Sequence, residues 1–458
     1  MKIIILGAGQ VGLSMAEILS QENNDVTLVD DDLNRLEGIQ DRLDLRTLEG
    51  SASHPNVLEQ AGGADADLIL AVTNHDEVNM AACQIAYSLF HTPKKIARIR
   101  SASYLSHPEI FCEKSIPIDV IISPEQIVTQ QVLRLIEFPG ALQVVDFAGG
   151  RIQLIGLRAY FGGPLVGHEL GELRNHLPTV ATRVAAIYRQ NRAIIPRGNT
   201  IIEPDDEVFF VAAHENIRKV MSELRMVEKP GNRIMLAGAG NIGLRLAQTL
   251  EESRYQVKLI ELNRNRARQV AERLDKTIVL HGNAADEELM LQENIEATEV
   301  FCSITSEDEA NILSAMLAKR LGARRSMALV NRSAYVDLIE HSTLDIAISP
   351  STVTVGALLT HIRRGDTVAV HSLRRGAAEA IETVAHGDES SSRVVGRRID
   401  EIQLPPGTTL GAILRKNEVI IARKDTVIKT EDHVIVFVID KQHIPEVERL
   451  FQVSVTYV

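Results

Sequence analysis

Gly7, Gly9 and Gly12, in the run Gly7-Ala8-Gly9-Gln10-Val11-Gly12, follow an apolar stretch and open a helical pattern. Glycines at this spacing make a tight turn, let a pyrophosphate approach the backbone and let the helix pack on the strand. The helix start offers amide donors and a partial positive charge to phosphates. Asp30 ends the next apolar strand, 18 residues after the last glycine, where a carboxylate can accept hydrogen bonds from ribose hydroxyls. Gly238-Ala239-Gly240-Asn241-Ile242-Gly243 and Glu261 repeat this arrangement at an offset of 231. Asp31 and Asp32 beside Asp30 would repel a 2′-phosphate, which favours NAD or NADH at the first copy; ATP and ADP fit the same motif. The plainer role for Asp31 and Asp32 is the solvated start of a helix.

Further candidates lie where later strands end. Thr73-Asn74 follows the apolar run 68–72, and Thr305-Ser306 follows the run 300–304, so their short polar side chains are expected at the ligand crevice of an open sheet. Capping of the following helix is an equally good use for them. In Lys94-Lys95-Ile96-Ala97-Arg98-Ile99-Arg100 the two arginines share one strand face, and Arg98 is placed to meet a phosphate. The second copy reads Met327-Ala328-Leu329-Val330-Asn331-Arg332, without a clear counterpart to Arg98, so the two sites are expected to differ in affinity or ligand. Glu307, Asp308 and Glu309 imitate a metal cluster but suit the acidic start of a helix better. The 14 histidines show no HxH or HExxH spacing, and no GxSxG motif or Walker-type lysine occurs. Binding without turnover is the economical expectation: no catalytic residues and no metal.

The elements that must position these residues alternate. Strands are expected at 2–6, 26–29, 68–72, 96–99 and 120–122, with helices such as 10–20 and 77–89 between them. That order predicts parallel strands joined by right-handed crossovers, an α/β doubly wound, Rossmann-like sheet. Ser123-Pro124 and Ser349-Pro350 each open an exit helix. Short β-like runs follow at 181–188, 193–195 and 208–211, and again at 419–422 and 434–438, so each sheet is followed by a small α+β module. Residues 194–208 align with 420–434 at an offset of 226, and 226–231 form a linker ending in Pro-Gly. The expected layout is A-B-A′-B′: Rossmann domains at 1–123 and 232–348, exit helices at 124–141 and 349–367, and small modules at 142–226 and 368–453.

Composition narrows the classes. The 458 residues are 45% hydrophobic and 24% charged, which suits several globular domains and excludes collagen, coiled coil and disorder. A net charge of −12 gives no general electrostatic reason to bind nucleic acid or anionic lipid. Cys83, Cys112 and Cys302 are far apart and fit buried thiols in a reducing compartment. Neither a signal peptide nor a spanning helix is expected, since the longest uncharged run, 346–362, is broken by serines, threonines and a proline.

The duplicated glycine units ending in Asp30 and Glu261, each with its small β-rich module, resemble tandem RCK (KTN) domains. In that arrangement the chain is similar to the peripheral regulatory subunit of bacterial Trk-type potassium uptake systems over nearly its whole length. The resemblance implies a non-enzymatic protein at the cytoplasmic side of the inner membrane that gates an integral membrane potassium-translocating subunit. It also implies a homo-oligomer, a tetramer or dimer, and binding of NAD(H) and adenine nucleotides. Carried onto matching positions, the first site would use residues 7–11, Asp30, Thr73, Asn74 and Arg98; the second would use residues 238–242, Glu261 and Thr305. The rival classes are an NAD-dependent oxidoreductase and a scaffold with degenerate sites.

Overall fold

The computed structural model describes residues 1–458 except 23, 191, 225–230, 340–342, 364–365, 375–376 and 454–458, so residues 226–230 of the expected linker lie outside the described residues. The chain forms two compact units: residues 1–127 with 351–361, and residues 128–350 with 362–458.

In the first unit β1 (Lys2–Leu6), α1 (Gln10–Gln21), β2 (Asp25–Asp30), β3 (Arg46–Glu49), β4 (Leu68–Ala71), α2 (Asp76–Phe90), β5 (Lys94–Arg98) and β6 (Val120–Ile122) build a parallel sheet in the order β3-β2-β1-β4-β5-β6. Ile3, Ile4, Ile5 and Leu6 are buried, because a central parallel strand is covered on both faces. Each such side chain contributes roughly 1.5–3 kcal/mol of burial. The chain reverses direction of travel at β1, leaving a crevice outside the carboxyl ends of β1 and β4. The sequence-predicted strands are present, but β3 was not foreseen. Its residues, Arg46-Thr47-Leu48-Glu49, are half-exposed at the sheet edge and carry no apolar run.

The helix α3 (Pro124–Glu137) leaves this sheet and contributes Val128, Val132, Leu135 and Ile136 to the apolar cluster of the second unit. There they join Ile234, Leu236, Met327 and Ile348 of the second parallel sheet. The following strands β7 (Ala141–Phe147), β8 (Ile152–Arg158), β9 (Thr182–Arg189), β10 (Arg192–Ile194) and β11 (Glu207–Ala213) form an antiparallel sheet in the order β10-β9-β11-β8-β7. The second parallel sheet consists of β12 (Arg233–Ala237), β13 (Gln256–Glu261), β14 (Ile278–His281), β15 (Val300–Ser303), β16 (Arg325–Leu329) and β17 (Ile346–Ile348), ordered β14-β13-β12-β15-β16-β17. Within it run α4 (Asn241–Glu251), α5 (Arg264–Ala271) and α6 (Asp308–Arg320). Next comes α7 (Pro350–Ile362), whose residues 351–361 belong to the first unit; there Lys94 Nζ donates to the carbonyl of His361.

The last sheet holds β18 (Thr367–Leu373), β19 (Ala378–Ala385), β20 (Thr408–Arg415), β21 (Glu418–Ile421) and β22 (Asp432–Val438). The two antiparallel sheets share one core, in which Phe147, Leu154, Ala186 and Phe209 lie with Leu373, Ala380, Ile435 and Phe437. Arg374 seals this core, lying 4.6 Å over the Tyr188 ring and 2.7 Å from Glu207. Each small module also carries a buried fork: Arg189 holds Asp206 through two bonds of 2.8 Å, and Arg415 holds Asp432 at 2.9 and 2.8 Å.

His371 packs edge-on against Phe147 with ring centroids 5.1 Å apart. Desolvation, helped by the Arg134 charge and opposed by Asp146, lowers its pKa from 6.5 to about 4. A folded value below the unfolded one means the unfolded chain takes up the proton first. Stability is therefore present above pH 6.5 and lost as pH falls toward 4, by about 2 kcal/mol after allowance for screening. Denaturant melts at pH 7 and pH 4.5 are expected to show this loss in the wild type and a smaller one in His371→Gln; equal losses would remove His371 as the cause.

Cys83 and Cys302 are buried, and burial pushes both thiols up to about 12. Cys112 is exposed, against the expectation of burial, because it sits in the irregular segment between β5 and β6 rather than on a sheet or its covering helices.

Candidate functional site

At the first glycine turn each glycine meets a different demand. Gly7 has φ +106°, and a side chain there would meet the Thr73 backbone nitrogen at 3.0 Å. A Cβ on Gly12 would lie 1.8 Å from the Gly7 carbonyl oxygen, so the helix packs against the turn with no room for a methyl group. At Gly9 nothing lies within 4 Å, and that direction is open. Gly9 is also the N-cap of α1, with no side-chain cap and no acidic residue in the first turn. The early amides of Gln10, Val11 and Gly12 are thus left for an outside acceptor. The second copy repeats the geometry: Gly238 has φ +102°, a Cβ on Gly243 would sit 1.9 Å from the Gly238 oxygen, and Gly240 faces open space as the uncapped start of α4.

The acids are clamped against these turns. Asp30 Oδ2 accepts from the Ala8 amide at 2.5 Å and Oδ1 from the Asp32 amide at 3.0 Å. Glu261 Oε2 accepts from Ala239 and Oε1 from Asn263, both at 2.8 Å. Each carboxylate is thereby fixed at the crevice with lone pairs to spare.

Thr73 and Thr305 lie at the ends of β4 and β15, and their hydroxyls are already engaged. Thr73 Oγ1 donates to Asn79 Oδ1 at 2.7 Å, and Thr305 Oγ1 to Asn311 Oδ1 at 2.7 Å. Asn79 and Asn311 are fully buried and also donate to the carbonyls of Arg98 and Leu329 at 2.9 Å, tying the strand end to its neighbour. In the sequence both asparagines recur in register with the threonines, but nothing there assigns them this bonding role. Asp76 and Asp308, likewise buried, anchor the next loop by accepting backbone amides of Arg100 and Ser101, and of Asn331 and Arg332.

Arg98 ends β5 and its Nη1 reaches Asn74 Oδ1 at 3.4 Å. Its Nε is buried without a hydrogen-bond partner, and burial, reinforced by Arg100, lowers its pKa. A half-buried guanidinium with an unused donor suits an anion. No hydrogen bond among the described residues joins Arg98 or Asn74 to Asp30. Leu329 takes the Arg98 position in the second copy, receiving the equivalent bond from Asn311.

Two crevices built this way, each followed by a small β module, define a tandem RCK-type Rossmann protein. The TrkA-N domain matches residues 3–124 and 234–350, and the TrkA-C domain matches residues 154–225 and 388–452. The Trk system potassium uptake protein TrkA of Halomonas elongata is 60% identical over 457 residues, covering 100% of both chains. The chain belongs to the TrkA family. Among solved structures it is similar to the GsuK RCK domain, with TM-score 0.62, 18% identity and coverage of 98% of this chain and 95% of that one. It is also similar to the GsuK channel bound to NAD, with TM-score 0.61, 16% identity and coverage of 98% and 79%. At such identity the likeness establishes the fold. No helix among the described residues is long and apolar enough to cross a membrane.

Proposed function

We propose that this chain is the nucleotide-sensing regulatory subunit of a Trk-type potassium uptake system. It binds NAD(H), ATP or ADP in its two crevices, and as a homo-oligomer on the inner face of the membrane it biases conduction by an integral membrane potassium-translocating subunit. The observation that carries the reading is the pairing, in both copies, of an open glycine at an uncapped helix start with a carboxylate fixed beside it. Membership of the TrkA family supports the choice of partner, and the NAD bound to the similarly folded GsuK channel supports the choice of ligand.

In the first site the amides of Gln10, Val11 and Gly12 would hold the pyrophosphate, Asp30 the ribose, and Arg98 with Asn74 and Thr73 the far side of the crevice. In the second, the amides of Asn241, Ile242 and Gly243, with Glu261 and Thr305, take those parts. The groups present fit a nucleotide, which supplies the differential affinity for one crevice shape that shifts the equilibrium between shapes.

Calorimetric titration of the full chain with NADH, NAD, ATP and ADP tests this. Asp30→Ala and Glu261→Ala are each expected to weaken their own site by about tenfold to a hundredfold, the loss of hydrogen bonds to a charged acceptor. Potassium flux measured with the membrane partner should then lose its nucleotide dependence. Flux control that survives the loss of binding would end the regulatory reading.

A further inference from the structure

The two sites carry opposite charge at the ribose corner. The eight residues from Asp30 to Glu37 hold four carboxylates, Asp30, Asp31, Asp32 and Glu37, and one arginine, Arg35; the eight from Glu261 to Arg268 hold one carboxylate and three arginines, Arg264, Arg266 and Arg268. The neighbouring strand adds to the contrast. Glu49 of β3 stands in register with Asp30, whereas His281 of β14 stands in register with Glu261.

Equivalent arginines are used differently. Arg35 is spent on the acids around it, with Nη1 3.7 Å from Asp30 and Nε 3.4 Å from Asp32. At the second site Asn263 replaces Asp32 and caps α5, accepting the Arg266 amide at 3.0 Å. The Arg266 side chain then lies along the glycine turn, its Nε donating to the Ala239 carbonyl at 2.9 Å. Ala239 is the residue whose amide Glu261 accepts, so Arg266 and Glu261 meet at the corner where the ribose hydroxyls belong. The Nη groups of Arg266 have no acidic partner among the described residues, and both oxygens of Glu261 receive backbone amides that offset its charge.

We infer that the second crevice takes an adenosine nucleotide that carries an additional phosphate on its ribose, held by Arg266, while the first crevice rejects such ligands. A planar guanidinium anchored through Nε presents its remaining donors as a fork that matches phosphate. The inference rests on the reading that both crevices bind nucleotides, and it goes further by making them chemically distinct. Two natural classes share this chemistry: dinucleotides with a 2′-phosphate and coenzyme A-type nucleotides with a 3′-phosphate.

The test is calorimetry on the full chain with NADH, NADPH, adenosine 2′,5′-bisphosphate and adenosine 3′,5′-bisphosphate, in wild type, Asp30→Ala, Arg266→Ala and Arg266→Lys. NADPH is expected at one site per chain, unaffected by Asp30→Ala. Arg266→Ala should weaken it by about tenfold or more, with NADH changed much less and with partial recovery in Arg266→Lys. The bisphosphate that binds more tightly identifies the class, either one supporting the inference. NADH binding at both sites with NADPH at neither, or equal losses of NADH and NADPH in Arg266→Ala, overturns the inference alone. Failure of every nucleotide to bind overturns the broader reading with it.

Discussion

Gly9→Ala will leave the chain folded and deprive the first crevice of nucleotide, whereas Gly12→Ala will damage the fold itself. Gly9 has φ −70° and ψ −178°, a conformation alanine adopts freely, and the new methyl group meets no protein atom within 4 Å. It occupies instead the space through which a pyrophosphate approaches the backbone. Gly12 offers no such space: its Cβ would lie 1.8 Å from the Gly7 carbonyl oxygen, a backbone atom that moves only if the turn and α1 separate. Overpacking of this kind costs about 3 kcal/mol or more, near the top of the range for one added methyl group. Thermal melts with and without NADH separate the two. Gly9→Ala should keep the unliganded melting temperature and lose the part of the NADH-induced rise due to the first site; Gly12→Ala should melt lower even without ligand. A Gly12→Ala chain with wild-type stability would show that the close approach of helix and turn is not required.

Asp432→Ala is expected to be as damaging at a place remote from any nucleotide chemistry. Asp432 is fully buried; it takes two bonds from Arg415 and a third from the Lys429 amide at 2.8 Å. Arg415 in turn bonds the Val427 carbonyl at 2.7 Å, so the fork ties the loop before β22 to the end of β20. Asp206 likewise accepts two bonds from Arg189 and one from the Glu203 amide at 2.9 Å, while Arg189 donates to the Ile201 carbonyl at 2.9 Å. Removing one partner of a buried pair costs roughly 3–5 kcal/mol because the other is stranded, whereas replacing both with apolar residues of similar size is often nearly neutral. Denaturant unfolding should show Asp432→Ala losing about 3 kcal/mol, and Arg415→Met with Asp432→Leu recovering most of it. A single-variant loss below about 1 kcal/mol would mean the fork is solvated in practice. Nucleotide affinity should not change in either variant.

Parts of this architecture could be seen in the sequence because they are local. A strand, a glycine turn and a helix start lie within a dozen residues, and 18 residues separate the last glycine from the acid, so Gly7, Gly12 and Asp30 were placed by spacing alone. The duplication supplied the second set and the alternation that makes the sheets parallel. Thr73 and Thr305 were singled out as crevice residues, yet their bonds to Asn79 and Asn311 depend on a helix turn folding back on a strand end. β3 and β14 were invisible: Arg46–Glu49 and Ile278–His281 are edge strands, half-exposed and short, whose membership in the sheet is decided by pairing with β2 and β13. Arg266 carried a legible charge, but only its bond to Ala239 shows where that charge is aimed. The exit helices were legible as helices; which sheet each one covers is a question of long-range packing that no local pattern encodes.

That reciprocal use of exit helices sets a timetable for synthesis. The last strand of the first sheet ends at Ile122, but the helix that completes its unit spans residues 351–361, with Val355, Leu358 and Leu359 buried there. At roughly 5–20 residues per second, the ribosome needs roughly ten to fifty seconds to supply it. For that interval the nascent first unit lacks the segment that belongs to it, and a chain arrested before residue 351 makes its first unit without those residues, however complete it looks in the sequence.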